Sequence, residues 1–166
     1  MSTGLAGILI ERLSLANGMS LAALAGTAFA WTVATAYLLI GAYSLRLIGP
    51  RPAPDRAPLW FTAPGFPMLV SCLVAVGEEV LFRGVLQSIC LTLVGPVYAI
   101  FLVNALFALI HAKGGLTFAM SAGFFGTIAS VITLAGDSLL PAIAMHVGWN
   151  ALVGLARRRA AAAPAA

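Results

Sequence analysis

Phe66–Leu93, FPMLVSCLVAVGEEVLFRGVLQSICLTL, is the stretch that decides the reading of this chain. A helix needs about 20 apolar residues to cross a bilayer, and this run exceeds that length. In lipid a backbone must satisfy its own polar groups, so a spanning run of this kind is helical. The surplus length predicts a tilt, or a bend near Gly77 or Gly84. Glu78, Glu79 and Arg83 interrupt the run. A charged side chain at mid-bilayer costs about 2.5–3.5 kcal/mol on insertion scales, so such groups turn inward and are functional candidates by default.

The rest of the chain is of the same kind. Of its 166 residues, 61% are hydrophobic and 8% charged, whereas soluble domains carry about 25% charged residues. Mean hydropathy is +1.04. The fold class is therefore all-α: a polytopic membrane bundle of about five transmembrane helices. The segments are Leu21 to Ile48, Phe66 to Leu93, Val97 to His111, Leu116 to Leu134 and Leu139 to Leu155. Gly49–Pro58, Gly95-Pro96, Lys113-Gly114-Gly115 and Gly136-Asp137-Ser138 are the turns between them, since proline and glycine interrupt helices. Residues 1–18 form an N-terminal segment whose Leu5–Leu15 stretch suits an interfacial helix. Residues 19–156 form a single transmembrane domain, and 157–166 are a basic and then Ala/Pro tail.

The formal charge of +4 sits at segment ends, so it reports topology and not a nucleic-acid footprint. With five spans, Arg46, Arg51, Arg56, Lys113 and Arg157–Arg159 all fall on one face. The positive-inside rule then places the N-terminus outside and the C-terminus in the cytoplasm, as in a bacterial inner membrane. Cys72 and Cys90 would stand roughly 27 Å apart on one helix. A disulfide needs Cα atoms within about 7 Å, so they are apolar fillers.

The polar residues fall into three groups. Glu79 and Arg83 are four apart, on one helix face, in the favourable order for an ion pair. Glu78 is turned about 100° away and is left free to address another helix. Asn104, Phe107 and His111 lie near one stripe of the third segment. Phe107 is an aromatic shelf, and Asn104 can orient a polar neighbour. His146 and Asn150, four apart on the last segment, can donate two hydrogen bonds toward one point, which is how side chains build an oxyanion hole. Each group also has a structural reading: a buried ion-pair network, an interfacial histidine, and an asparagine that bridges helices. Asp137 and Ser138 read as a helix N-cap region.

Taken together, Glu-Glu-x-x-x-Arg at 78–83, Phe-x-x-x-His at 107–111 and His-x-x-x-Asn at 146–150 resemble the CPBP family of intramembrane proteases. That family includes the CAAX prenyl proteases and the bacterial Abi proteins. The resemblance covers about Leu69 to Leu152. It implies a glutamate-dependent endopeptidase that needs no cofactor and acts on a membrane-associated or lipidated protein or peptide. Glu78 and His111 would activate water, His146 and Asn150 would stabilise the oxyanion, and Glu79 and Arg83 would support them. Two other readings use the same residues. Glu78, His111 and His146 could hold Zn²⁺ with water in an open position, although no His-Glu-x-x-His helix is present. Or the protein could be a catalytically silent membrane immunity or scaffold protein. The expected partners are the lipid bilayer and the substrate, with no nucleic acid. Oligomeric state has no sequence signal.

Overall fold

The computed structural model describes residues 21–48 and 66–162. The expected interfacial helix at Leu5–Leu15, the connection Gly49–Pro58 and the end of the Ala/Pro tail lie outside the described residues. The rest is helical: α1 (Leu21–Ile48), α2 (Phe66–Glu79), a π-helical segment (Val80–Leu86), α3 (Gln87–Ile110), a 3-10 turn (Ala112–Gly114), α4 (Leu116–Gly136) and α5 (Leu140–Ala162).

α3 is broken in its first third. Gly95 has φ 77° and ψ 172°, and Pro96 follows it. A residue with a side chain resists that positive φ, and proline cannot donate to the preceding turn. The chain reverses there. Arg83 and Asn104 would stand roughly 30 Å apart on a straight helix. Instead Arg83 Nη2 donates to Asn104 Oδ1 at 3.1 Å, and the Phe82 and Phe107 rings meet edge-on with centroids 4.9 Å apart. The segment after Gly95 therefore runs back along the one before it.

Ala22–Arg46, Met68–Ile110 and Leu116–Gly136 are long and apolar enough to cross a membrane. With the reversal at Gly95, the second of these supplies two antiparallel rods, so the sequence-derived count of about five segments is met once α5 is added. α5, which carries His146, Trp149 and Asn150, is the least apolar of them.

α1 packs on α4 and α5, α2 on α5, and α3 on α4. The approach of α1 to α4 is close because small residues face each other: a Cβ at Gly26 would overlap the Ala135 carbonyl oxygen. Tyr37 of α1 bridges to Phe125 and Trp149, with centroids 5.4 and 5.7 Å away. The buried apolar centre includes Ala30, Ala34, Phe82, Phe107, Phe125, Ile132 and Met145. Leu93, Val97, Tyr98, Phe101 and Leu109 point outward, as lipid-facing residues do. Cys72 and Cys90 are both free. Ser138 acts as the expected cap, its Oγ accepting from Leu140 N–H at 3.2 Å. Asp137, just before it, ends α4 in the left-handed conformation, with φ 46° and ψ 38°.

Candidate active site

Glu78 and Glu79 are the last residues of α2, and the backbone widens into the π-helical segment immediately after them. π-helical turns are rare and gather at functional sites. Within this segment Phe82, Arg83 and Gly84 are all buried, and the break in the long apolar run comes not at Gly77 or Gly84 but at Gly95.

The two carboxylates meet one histidine. His146 Nδ1 lies 2.7 Å from Glu79 Oε1, and its Nε2 lies 3.7 Å from Glu78 Oε2. The ring of His146, on α5, is thus flanked by both glutamates of α2. Helix geometry on its own suggests separate tasks for the pair; packing brings them to the two nitrogens of one ring. Glu79 is fully buried, whereas the Glu78 side chain keeps 22% exposure.

Glu79 Oε1 also accepts from Arg83 Nη1 at 3.2 Å, so the expected i,i+4 pair forms. Arg83 is held by both terminal nitrogens and by two aromatic rings. Its guanidinium carbon stands 4.5 Å from the Phe107 centroid and 5.9 Å from that of Phe82, within cation–π range. Asn104 accepts from Arg83 and donates through Nδ2 to Ser130 Oγ at 2.9 Å and to the Ile100 carbonyl at 2.7 Å. Gln87 Nε2 donates to the Ser130 carbonyl at 3.3 Å.

His111 ends α3. Its Nδ1 is 2.8 Å from the Phe107 carbonyl oxygen. A carbonyl only accepts, so Nδ1 carries the proton and Nε2 of the neutral ring is the acceptor. His111 and His146 both lie against Phe107, with centroid distances of 4.5 and 6.3 Å. The aromatic shelf is therefore shared by the two histidines. Asn150, one turn beyond His146, donates through Nδ2 to the Ser71 carbonyl of α2 at 2.9 Å. That is the bridging contact foreseen in its structural reading. An amide has two N–H groups, so a second donor remains beside this one.

One cavity of about 490 Å³ lies between α1 and α5, lined by Arg46, Leu45, Leu152, Leu155 and Arg159. A smaller one of about 160 Å³ lies between α1 and α4. Neither is lined by Glu78, His111, His146 or Asn150. No group of three or more His, Cys, Asp or Glu among the described residues has the arrangement of a metal site.

Sequence reasoning missed Ser130 and Gln87. Both carried a signal. Gln87 continues the Glu79, Arg83 stripe by one more turn, and Ser130 is a polar group within an apolar span.

Residues 58–152 match the family model described as type II CAAX prenyl endopeptidase Rce1-like. The chain belongs to this Rce1-like family. The match covers more than half of the chain and contains α2, the π-helical segment, α3, α4 and the part of α5 that carries His146 and Asn150. No curated protein and no solved structure matches the chain. Membership in the Rce1-like family makes the protein a CAAX-type intramembrane protease, a hydrolase whose substrates are membrane-associated proteins. With its three membrane-length helical stretches it is an integral membrane protein.

Proposed function

We propose that the protein hydrolyses a peptide bond of a membrane-associated or lipidated protein or peptide, using water activated by Glu78. The observation that carries this reading is the placement of Glu78. It is half-buried, stands at the end of α2, and faces His146 Nε2 at 3.7 Å without being tied into the Arg83 network. A carboxylate not locked into a hydrogen-bonded ion pair is available to take a proton from water.

His111 is the partner of Glu78 in this account. Its Nδ1–H is committed to the Phe107 carbonyl, so its Nε2 lone pair is the atom that can hold a water. Attack on the scissile carbonyl places negative charge on its oxygen. The second N–H of Asn150 can donate to that oxygen, and so can Nε2–H of His146 in its imidazolium form. In that form the ring lies between two carboxylates that balance its charge. Glu78 then returns its proton to the leaving amine, which completes hydrolysis with one water consumed. No metal takes part. The substrate reaches the site from the basic, cytoplasmic face, residues 19–156 act as one catalytic domain, and the membrane is a bacterial inner membrane.

A farnesylated peptide ending in a CAAX sequence, added to liposomes containing the purified protein, tests this. Release of the C-terminal tripeptide is expected from the wild type with or without a zinc chelator, and not from Glu78→Gln. Activity lost on chelation, or retained by Glu78→Gln, would overturn the mechanism.

A further inference from the structure

The Arg83 network is a poor device for stability. Glu79, Arg83, Gln87, Asn104 and Ser130 are all buried. Yet Glu79 Oε2, Arg83 Nε and Gln87 Oε1 have no hydrogen-bond partner among the described residues. A partly satisfied buried polar network is worth less than apolar packing of the same volume. Four separate elements nonetheless contribute to it: α2, the π-helical segment, α3 on both sides of its reversal, and α4. What it holds in place is one atom, Glu79 Oε1, which accepts from Arg83 Nη1 and contacts His146 Nδ1.

That atom determines what the other nitrogen of His146 can do. With Arg83 as its partner, Glu79 is a carboxylate and can only accept. Nδ1 of His146 must then carry a proton, which leaves Nε2, turned toward Glu78, as the nitrogen that takes up the second proton and so becomes the imidazolium donor of the proposed reaction. The logic is that of a carboxylate orienting a histidine, where the carboxylate fixes ring position and tautomer without itself reacting.

The chain also makes room for the clasp. A Cβ at Gly126 of α4 would fall against Asn104 Oδ1 and Arg83 Nη2, the two atoms of the Arg83–Asn104 hydrogen bond. A glycine there lets α4 close over that bond without displacing either side chain, while Ser130, one turn on, receives Asn104 Nδ2.

We infer that Glu79 is a positioning residue that fixes the tautomer of His146, and that the Arg83–Asn104–Ser130 clasp beneath Gly126 holds Glu79 in register for that task. This rests on the proposed role of His146 in the reaction, but it concerns a proton on a ring and can be read without any substrate. Glu79 touches no reacting atom in this scheme. Its effect on the reaction passes entirely through His146.

The test is nitrogen NMR of the full-length protein, labelled with ¹⁵N-histidine, in lipid nanodiscs at a pH where imidazole is neutral. The chain has two histidines, and a His111→Gln sample assigns their signals. Nδ1 of His146 is expected to be protonated in the wild type and also in Glu79→Gln, whose amide oxygen still accepts. In Glu79→Leu that preference is expected to collapse to a mixture of tautomers. A structural role confined to the Arg83 ion pair predicts that Gln and Leu behave alike. An unprotonated Nδ1 in the wild type, or an unchanged tautomer in Glu79→Leu, would overturn the inference; the wild-type measurement decides even if a variant does not fold. Glu78→Gln separates this from the catalytic reading: it leaves the His146 tautomer unchanged. If it also leaves cleavage intact, the mechanism fails while the positioning role stands.

Discussion

Replacing Asn104 with alanine removes the keystone of the clasp. Two interhelical hydrogen bonds are lost, from Arg83 Nη2 at 3.1 Å and to Ser130 Oγ at 2.9 Å. The bond to Ile100 is within the helix and its loss strands no group on another element. A hydrogen bond to a charged group contributes about 1.5–3 kcal/mol. A neutral interhelical bond in a membrane protein contributes about 0.6 kcal/mol. Arg83 keeps Glu79 and the Phe107 face, so the larger penalty for a wholly unpaired buried charge does not apply. The expected destabilisation is therefore about 2–4 kcal/mol. Equilibrium unfolding in mixed dodecylmaltoside and dodecyl sulfate micelles reads it directly. Thr127→Ala is the control: its hydroxyl bonds only to the Gly123 carbonyl of its own helix and is exposed to lipid, so its cost should stay within about 0.5 kcal/mol. If the two variants unfold alike, the clasp does not hold the bundle together and the reasoning is refuted.

Other outcomes follow from the same geometry. Gly126→Ala should cost about 1–3 kcal/mol through overpacking and should fall mainly on the Arg83–Asn104 bond; combining it with Asn104→Ala should cost clearly less than the sum of the two, and full additivity would contradict the shared contact. Asn150→Ala should cost only about 0.6 kcal/mol of stability, the value of its Ser71 bridge, but lower kcat by about 10²–10³ if its second N–H serves the oxyanion; parallel losses of both would reduce it to a helix bridge. Glu78→Gln should abolish cleavage while unfolding in micelles as the wild type does, since its carboxylate has no hydrogen-bonded cation to lose. Replacing Gly95 with valine should destabilise the α3 reversal through its positive φ, readable in the same unfolding assay.

The segments were legible in the sequence because lipid allows few alternatives. Every apolar run of bilayer length must be a helix, and Gly95-Pro96 can only be a break. The turn at Gly136-Asp137-Ser138 was legible for similar reasons, though its two polar residues divide the work between ending one helix and starting the next. The i,i+4 pair of Glu79 and Arg83 followed from helix geometry alone. What helix geometry could not show is which helix each polar face meets. Glu79 was readable as a partner of Arg83 but not of His146, because that contact depends on how α2 and α5 rotate against each other. The same rotation sends the Asn150 amide to the Ser71 carbonyl. The π-helical widening after Glu79 has no pattern in the residues that would announce it. Ser130 and Gln87 were visible as polar residues in apolar spans, but their common target, the Arg83 clasp, exists only once the chain has doubled back at Gly95.

The most direct test of the central claim compares protein termini in host-cell membranes carrying the wild type or Glu78→Ala at equal levels. The account predicts a set of membrane proteins or peptides that are processed with the wild type and remain uncut with the variant, which would also reveal the substrate. Processing that proceeds equally in both would contradict a catalytic role for Glu78.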